Sequence, residues 1–129
     1  MFDQMRALGA LTTLMKDRQK LADAAARIKA RLGDARVEAE AGGGAIRVVA
    51  TGSMKIAQVH IEPAMAAAFS ADERSRELAQ ALIAEATNDA LARAQELARE
   101  VVGEEAKALG LPADLHEHLG GSLGSALGL

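Results

Sequence analysis

From residue 3 to 32 apolar or small residues return at alternating steps of three and four: Ala7, Leu11, Leu14, Leu21, Ala25, Ile28 and Leu32, with Arg18 as the polar member of the row. This spacing predicts one long helix with a single apolar seam. Gly33-Asp34 is expected to stop it, glycine being the usual residue just beyond a helix C-terminus. The period then changes to two. Ile46, Val48 and Ala50 alternate with Arg47, Val49 and Thr51, and Ala57, Val59 and Ile61 alternate with Gln58, His60 and Glu62. Three short strands are predicted at 35–41, 45–51 and 54–62, with one packed face and one mostly polar face. Gly42-Gly43-Gly44 and Gly52-Ser53 suit the tight links of antiparallel hairpins. Pro63 ends the third strand, and a small-residue connection over 64–69 leads to Ser70-Ala71-Asp72-Glu73, a capping-box pattern. A second helix is predicted over 70–109, with Ala79, Ile83, Ala86, Ala90, Ala94, Leu97 and Val101 as its apolar stripe. So many alanines would let another element approach its backbone closely.

The pattern therefore reads αβββα, an α+β fold with long N- and C-terminal helices flanking a small antiparallel sheet. Residues 1–110 form a single domain, as expected for a chain of 129 residues. Residues 111–129 turn to Gly, Leu and Ser. Leu111, Leu115, Leu119, Leu123 and Leu127 fall four apart, but five glycines from Gly110 onward make a loose or conditionally ordered tail the better reading.

Composition changes the picture in two ways. Half of the residues are hydrophobic, yet 30 of them are Ala, which bury little area, so self-association is expected to supplement the core. The chain has no Cys, which excludes a disulfide framework, a thiolate nucleophile and a Cys-based zinc site. The apolar runs are too short to span a bilayer and the N-terminus lacks a signal-peptide core, which points to a soluble cytoplasmic protein.

Candidate chemistry is sparse. The triple glycine precedes a strand rather than a helix, so it is read as a hairpin turn and not as a phosphate cradle. His116 and His118 flank Glu117 in the glycine-rich tail without a fixed scaffold or an obvious further ligand, and no metal or other cofactor is expected. His60 is placed on the polar face of a strand with no nucleophile or acid in a triad pattern, and Asn88 and Asp89 lie off the apolar stripe. An enzyme is not expected.

Charge is more informative along the chain than in total. Residues 1–36 hold eight cations against four anions, a balance of +4, and the remainder holds seven against fourteen, a balance of −7, giving the net −3. Projected at ~100° per residue, Lys16, Lys20, Arg27 and Arg31 fall within about 60°, a stripe expected opposite the leucine seam and ~22 Å long. Taken alone the stripe is more economically a solvated face than a phosphate-binding row. The absence of Trp and Tyr argues against base stacking, so any nucleic-acid contact would be to duplex backbone.

The order αβββα, with Val37-Glu38-Ala39-Glu40-Ala41-Gly42-Gly43-Gly44-Ala45-Ile46-Arg47-Val48, then Gly52, then Val59-His60-Ile61-Glu62-Pro63, resembles the YbaB/EbfC family of bacterial nucleoid-associated proteins. Ala86-Thr87-Asn88-Asp89-Ala90 and Leu111-Pro112-Ala113-Asp114-Leu115 are similar to further family segments, so the resemblance covers about residues 1–115. Two departures are Asp114, where the family usually has a small residue, and the glycine- and leucine-bearing extension beyond it. The resemblance implies a tweezer-like homodimer in the nucleoid that binds double-stranded DNA through helical arms and organises the nucleoid or affects gene expression. It also implies a protein partner in DNA repair or recombination, and no catalytic activity or cofactor. Lys16, Lys20, Arg27 and Arg31 are then the expected DNA contacts, with Lys29 and Arg36 second. The competing expectation is a dimeric protein-interaction scaffold, motivated by nine anions against five cations over residues 70–109.

Overall fold

The computed structural model describes residues 2–110, with side chains from Lys16 onward. Its order is α1 (Phe2–Asp34), β1 (Arg36–Ala41), β2 (Ile46–Thr51), β3 (Ile56–Ile61), α2 (Pro63–Ala71) and α3 (Glu73–Ala108). The strands form an antiparallel sheet in the order β1-β2-β3. The predicted αβββα order is therefore present, with one helix more than the periodicity gave.

Alternation places Ala39, Ala41, Ile46, Val48 and Ala50 on one face, where Ala86, Ala90 and Ala94 of α3 pack against them in one buried cluster. Alanine on both sides lets the helix lie close to the sheet, so packing density replaces side-chain size. A second cluster joins Ile28 and Leu32 of α1 to Ala98, Val101 and Val102 of α3. Each fully buried Leu or Ile contributes about 1.5–3 kcal/mol by removing apolar area from water. The turn of the β2–β3 hairpin locks onto the same place. A Cβ on Gly52 would lie 2.9 Å from the backbone O of Leu32 and 3.0 Å from its Cα. Glycine is thus required where α1 meets the hairpin. The β1–β2 turn needs glycine for another reason, because Gly42, Gly43 and Gly44 all have positive φ.

Four local expectations change. α1 ends at Asp34, within the predicted Gly33-Asp34 stop, but Gly33 is still helical and lacks the positive φ of a glycine stop; Ala35 N donates to Arg31 O at 3.0 Å. The Arg36 guanidinium takes over the stop by donating to the carbonyls of Gly33 and Ala35 at 2.8 and 3.0 Å. Residues 64–69 are not a connection but the body of α2, started by Pro63 in the first helical turn and sustained by alanine.

Ser70 is consequently helical and does not cap α3; its hydroxyl donates to Ala67 O at 3.2 Å. Asp72, extended between α2 and α3, is the cap, accepting from Ser75 N at 2.7 Å and Ser75 Oγ at 3.0 Å. Finally, β3 carries a register shift. Val48 pairs with Val59 but Ala50 pairs with Ile56, so Ala57 is the extra residue and Ile56 takes its expected place on the apolar face.

Candidate nucleic-acid interface

The buried row of α1 is Ala24, Ile28 and Leu32, while Leu21 is 49% exposed. On a 100° wheel that row is centred about 90° from the middle of the basic stripe, so the stripe lies on the flank of the buried face rather than opposite it. The placement has a direct electrostatic consequence, because the lower half of the stripe reaches α3. Arg27 Nε donates to Glu105 Oε2 at 3.1 Å. Arg31 donates from Nη2 to Glu104 Oε2 at 2.6 Å and from Nη1 to Glu105 Oε1 at 3.4 Å. The hydrogen bond donated to Glu104, aided by attraction to Glu104 and the contact with Glu105, raises the Arg31 pKa further above its ordinary value.

The upper half differs. Lys16 and Lys20 are exposed on a stretch, residues 16–23, in which every residue is exposed, and neither forms an ion pair among the described residues. Their neighbour Asp23 accepts from Gln19 Nε2 at 3.0 Å. Lys29 is exposed on the other flank of α1, also without an ion pair among the described residues, and Arg36 is committed to the carbonyls that end the helix. Thus the six expected cations do not form one uniform surface. Lys16 and Lys20 are open, Arg27 and Arg31 face carboxylates, and Lys29 and Arg36 stand apart.

The remaining candidates remain dispersed. His60 Nε2 lies 3.9 Å from Glu62 Oε1 on the exposed face of β3, and Arg47 Nη1 lies 4.0 Å from Glu38 Oε1 across β1 and β2. Asn88 and Asp89 are exposed on α3. No group of three or more His, Cys, Asp or Glu side chains is placed to hold a metal ion among the described residues, and His116 and His118 lie outside them with the leucine repeat.

The sheet has two unlike edges. At β1, Arg93 of α3 donates from Nη1 to the backbone O of Glu38 at 2.6 Å, so a charged side chain covers part of the edge. At β3, α3 gives no comparable cover, and Ile56 and Val59 remain 41% and 44% exposed although they share the face of the core. The following α2, rich in alanine and bearing Met65 and Phe69, has no buried residue. Periodicity alone could not find this feature, because it reports which positions are apolar and not which of them a helix leaves uncovered.

A model of the YbaB/EbfC DNA-binding family matches residues 8–109. The chain belongs to that family. Nucleoid-associated proteins of Bacillus thuringiensis and Bacillus cereus are each 35% identical over 108 residues, covering 84% of this chain and 94% of theirs. A crystal structure of an uncharacterized protein from Helicobacter pylori, 19% identical, superposes with a TM-score of 0.50 over 73% of this chain and 87% of that one, a likeness of fold. Among the described residues, no helix is long and apolar enough to cross a membrane.

Proposed function

We propose that this YbaB/EbfC family member is a nucleoid-associated protein that binds duplex DNA as a homodimer, chiefly through backbone phosphates. Family membership supports the DNA class, and the observation that carries the mode of binding is the exposed row of Lys16 and Lys20 on an otherwise solvated stretch of α1. Ammonium groups there are free to displace counterions condensed on DNA, which makes affinity fall steeply with salt. Arg27 and Arg31 continue the row toward the sheet, and Lys29 and Arg36 add positive potential around it. The chain has no Trp or Tyr to stack on bases, consistent with contact to an intact duplex. By the same reading the protein works in the cytoplasmic nucleoid, organising DNA or affecting gene expression, and does so without catalysis.

The second copy fits the β3 side of the sheet. That edge is open, its six residues Ile56–Ile61 contain no Lys, Arg, Asp or Glu, and the partly uncovered Ile56 and Val59 adjoin it. A symmetric contact brings identical residues together near its axis, so a strand free of formal charge avoids like-charge repulsion. Two copies would present two basic arms to one duplex and raise the local concentration of the second after the first has bound.

Titration of a mixed-sequence duplex across a salt series, with light scattering on the same sample, tests this reading. A dimer whose affinity falls steeply with salt supports it, and absence of binding at low salt contradicts it. The competing scaffold reading, including a repair or recombination partner, rests on the acidic α3. Protein partners that stay bound after nuclease treatment, from a chain that does not bind duplex, would favour it.

A further inference from the structure

We propose that Glu104 and Glu105 form an intramolecular phosphate mimic that withholds Arg27 and Arg31 from DNA, so that the acidic end of α3 sets the affinity of the basic arm. The inference rests on the duplex-binding reading above and goes beyond it by assigning a negative regulator within the chain. Two guanidiniums from successive turns of α1 meet two adjacent carboxylates on α3, with Glu105 shared between them. Carboxylate and phosphate both present acceptor oxygens that suit the guanidinium fork, and an arginine engaged by one is less available to the other.

The two acids are not equivalent. Glu104 is 64% exposed and Glu105 only 12%. An exposed pair is weak and exchanges readily. Glu105 differs because, if Arg27 and Arg31 moved to a phosphate, its carboxylate would lose both partners in a place that water reaches poorly. The enclosed carboxylate therefore opposes transfer, while the exposed one tunes it. Lys16 and Lys20 have no such competitor among the described side chains, so they make the first contacts, and the arginines add theirs only when the ion pairs exchange.

The test compares two charge-matched changes in the full chain. Glu104→Gln with Glu105→Gln removes the acids that face the stripe, whereas Glu96→Gln with Glu100→Gln removes two exposed acids of α3 that form no ion pair among the described residues. With a mixed-sequence duplex, the first pair is expected to raise affinity about tenfold at low salt. It should also steepen the dependence of log affinity on log salt by up to about 1.8 for each protomer engaged, the value for two added phosphate contacts. The control pair should do distinctly less.

Adding Arg27→Gln and Arg31→Gln to the first variant should abolish its gain. Glu104→Gln alone, which leaves the enclosed Glu105 intact, should give a smaller gain of the same sign and guards against a folding defect in the double variant. Equal gains from the two acid pairs, or a gain that survives loss of the arginines, would overturn the proposal while leaving duplex binding intact. Failure of the wild-type chain to bind duplex at low salt would instead overturn the duplex reading on which it rests.

Discussion

Two adjoining stretches of α1, residues 16–23 and residues 24–34, differ in burial and in charge pairing although one periodic pattern runs through both. Near the sheet, Ile28 and Leu32 are buried against α3 and Arg27 and Arg31 are held by Glu104 and Glu105. Over residues 16–23 every side chain is exposed, including Leu21. One helix thus supplies core residues next to the sheet and a fully solvated, charged stretch over residues 16–23. The same 3-4 spacing and the same cationic stripe acquire opposite roles from what lies opposite them: a partner helix consumes charge and apolar area, and solvent leaves both available.

The largest loss of stability is expected at the buried end. Leu32→Ala should cost about 3 kcal/mol, because it opens a cavity where α1, α3 and the Gly52 turn converge, whereas Leu21→Ala should cost under about 1 kcal/mol. Paired denaturant titrations of the two variants check the contrast. The charged end responds in binding instead. Lys16→Glu with Lys20→Glu should weaken duplex binding about 100-fold near 0.1 M salt, with little change in stability, while Arg27→Gln with Arg31→Gln should weaken it less because those groups already face carboxylates.

A smaller effect is expected at the point where the buried end is fastened. Gly52→Ala places a methyl group against the Leu32 backbone and should cost about 1–3 kcal/mol by thermal or chemical unfolding. The smallest concerns the start of α3. The Ser75 amide, followed by its hydroxyl, holds the Asp72 carboxyl below its ordinary range. Its ionised form therefore favours folding above about pH 4, and this contribution disappears as pH falls through the lower folded value. Asp72→Asn keeps a capping oxygen but cannot ionise, so thermal melts from neutral to acid pH should show a slightly flatter acid limb for the variant.

Much of the architecture was legible because local signals agreed. Period-two alternation at Ile46, Val48 and Ala50, glycines at a turn that demands positive φ, and the alanine row of α3 all pointed to the same packed sheet and helix. The misreadings came where two signals competed. Ser70 resembled a cap, but the alanine run that precedes it is a strong helix former and carried the helix past it, leaving Asp72 as the acceptor. Gly33 resembled a stop, but it has no positive φ and the Arg36 side chain satisfies the carbonyls instead.

The stripe itself was visible from spacing. Its division into paired arginines and open lysines was not, because Glu104 and Glu105 lie more than seventy positions away and only the α1–α3 packing brings them together. For the same reason, the partial cover of the β1 edge by Arg93 could not be read from sequence, because Arg93 and Glu38 lie fifty-five positions apart.

Phosphate binding by Lys16 and Lys20 is measured most directly by the salt dependence of duplex affinity for the wild-type chain and for Lys16→Gln with Lys20→Gln. If Lys16 and Lys20 on the exposed stretch of α1 bind phosphates, the slope of log affinity against log salt should become shallower by about 1.8 for each protomer engaged. Parallel lines of unchanged slope and affinity, from a variant that remains folded, would contradict it.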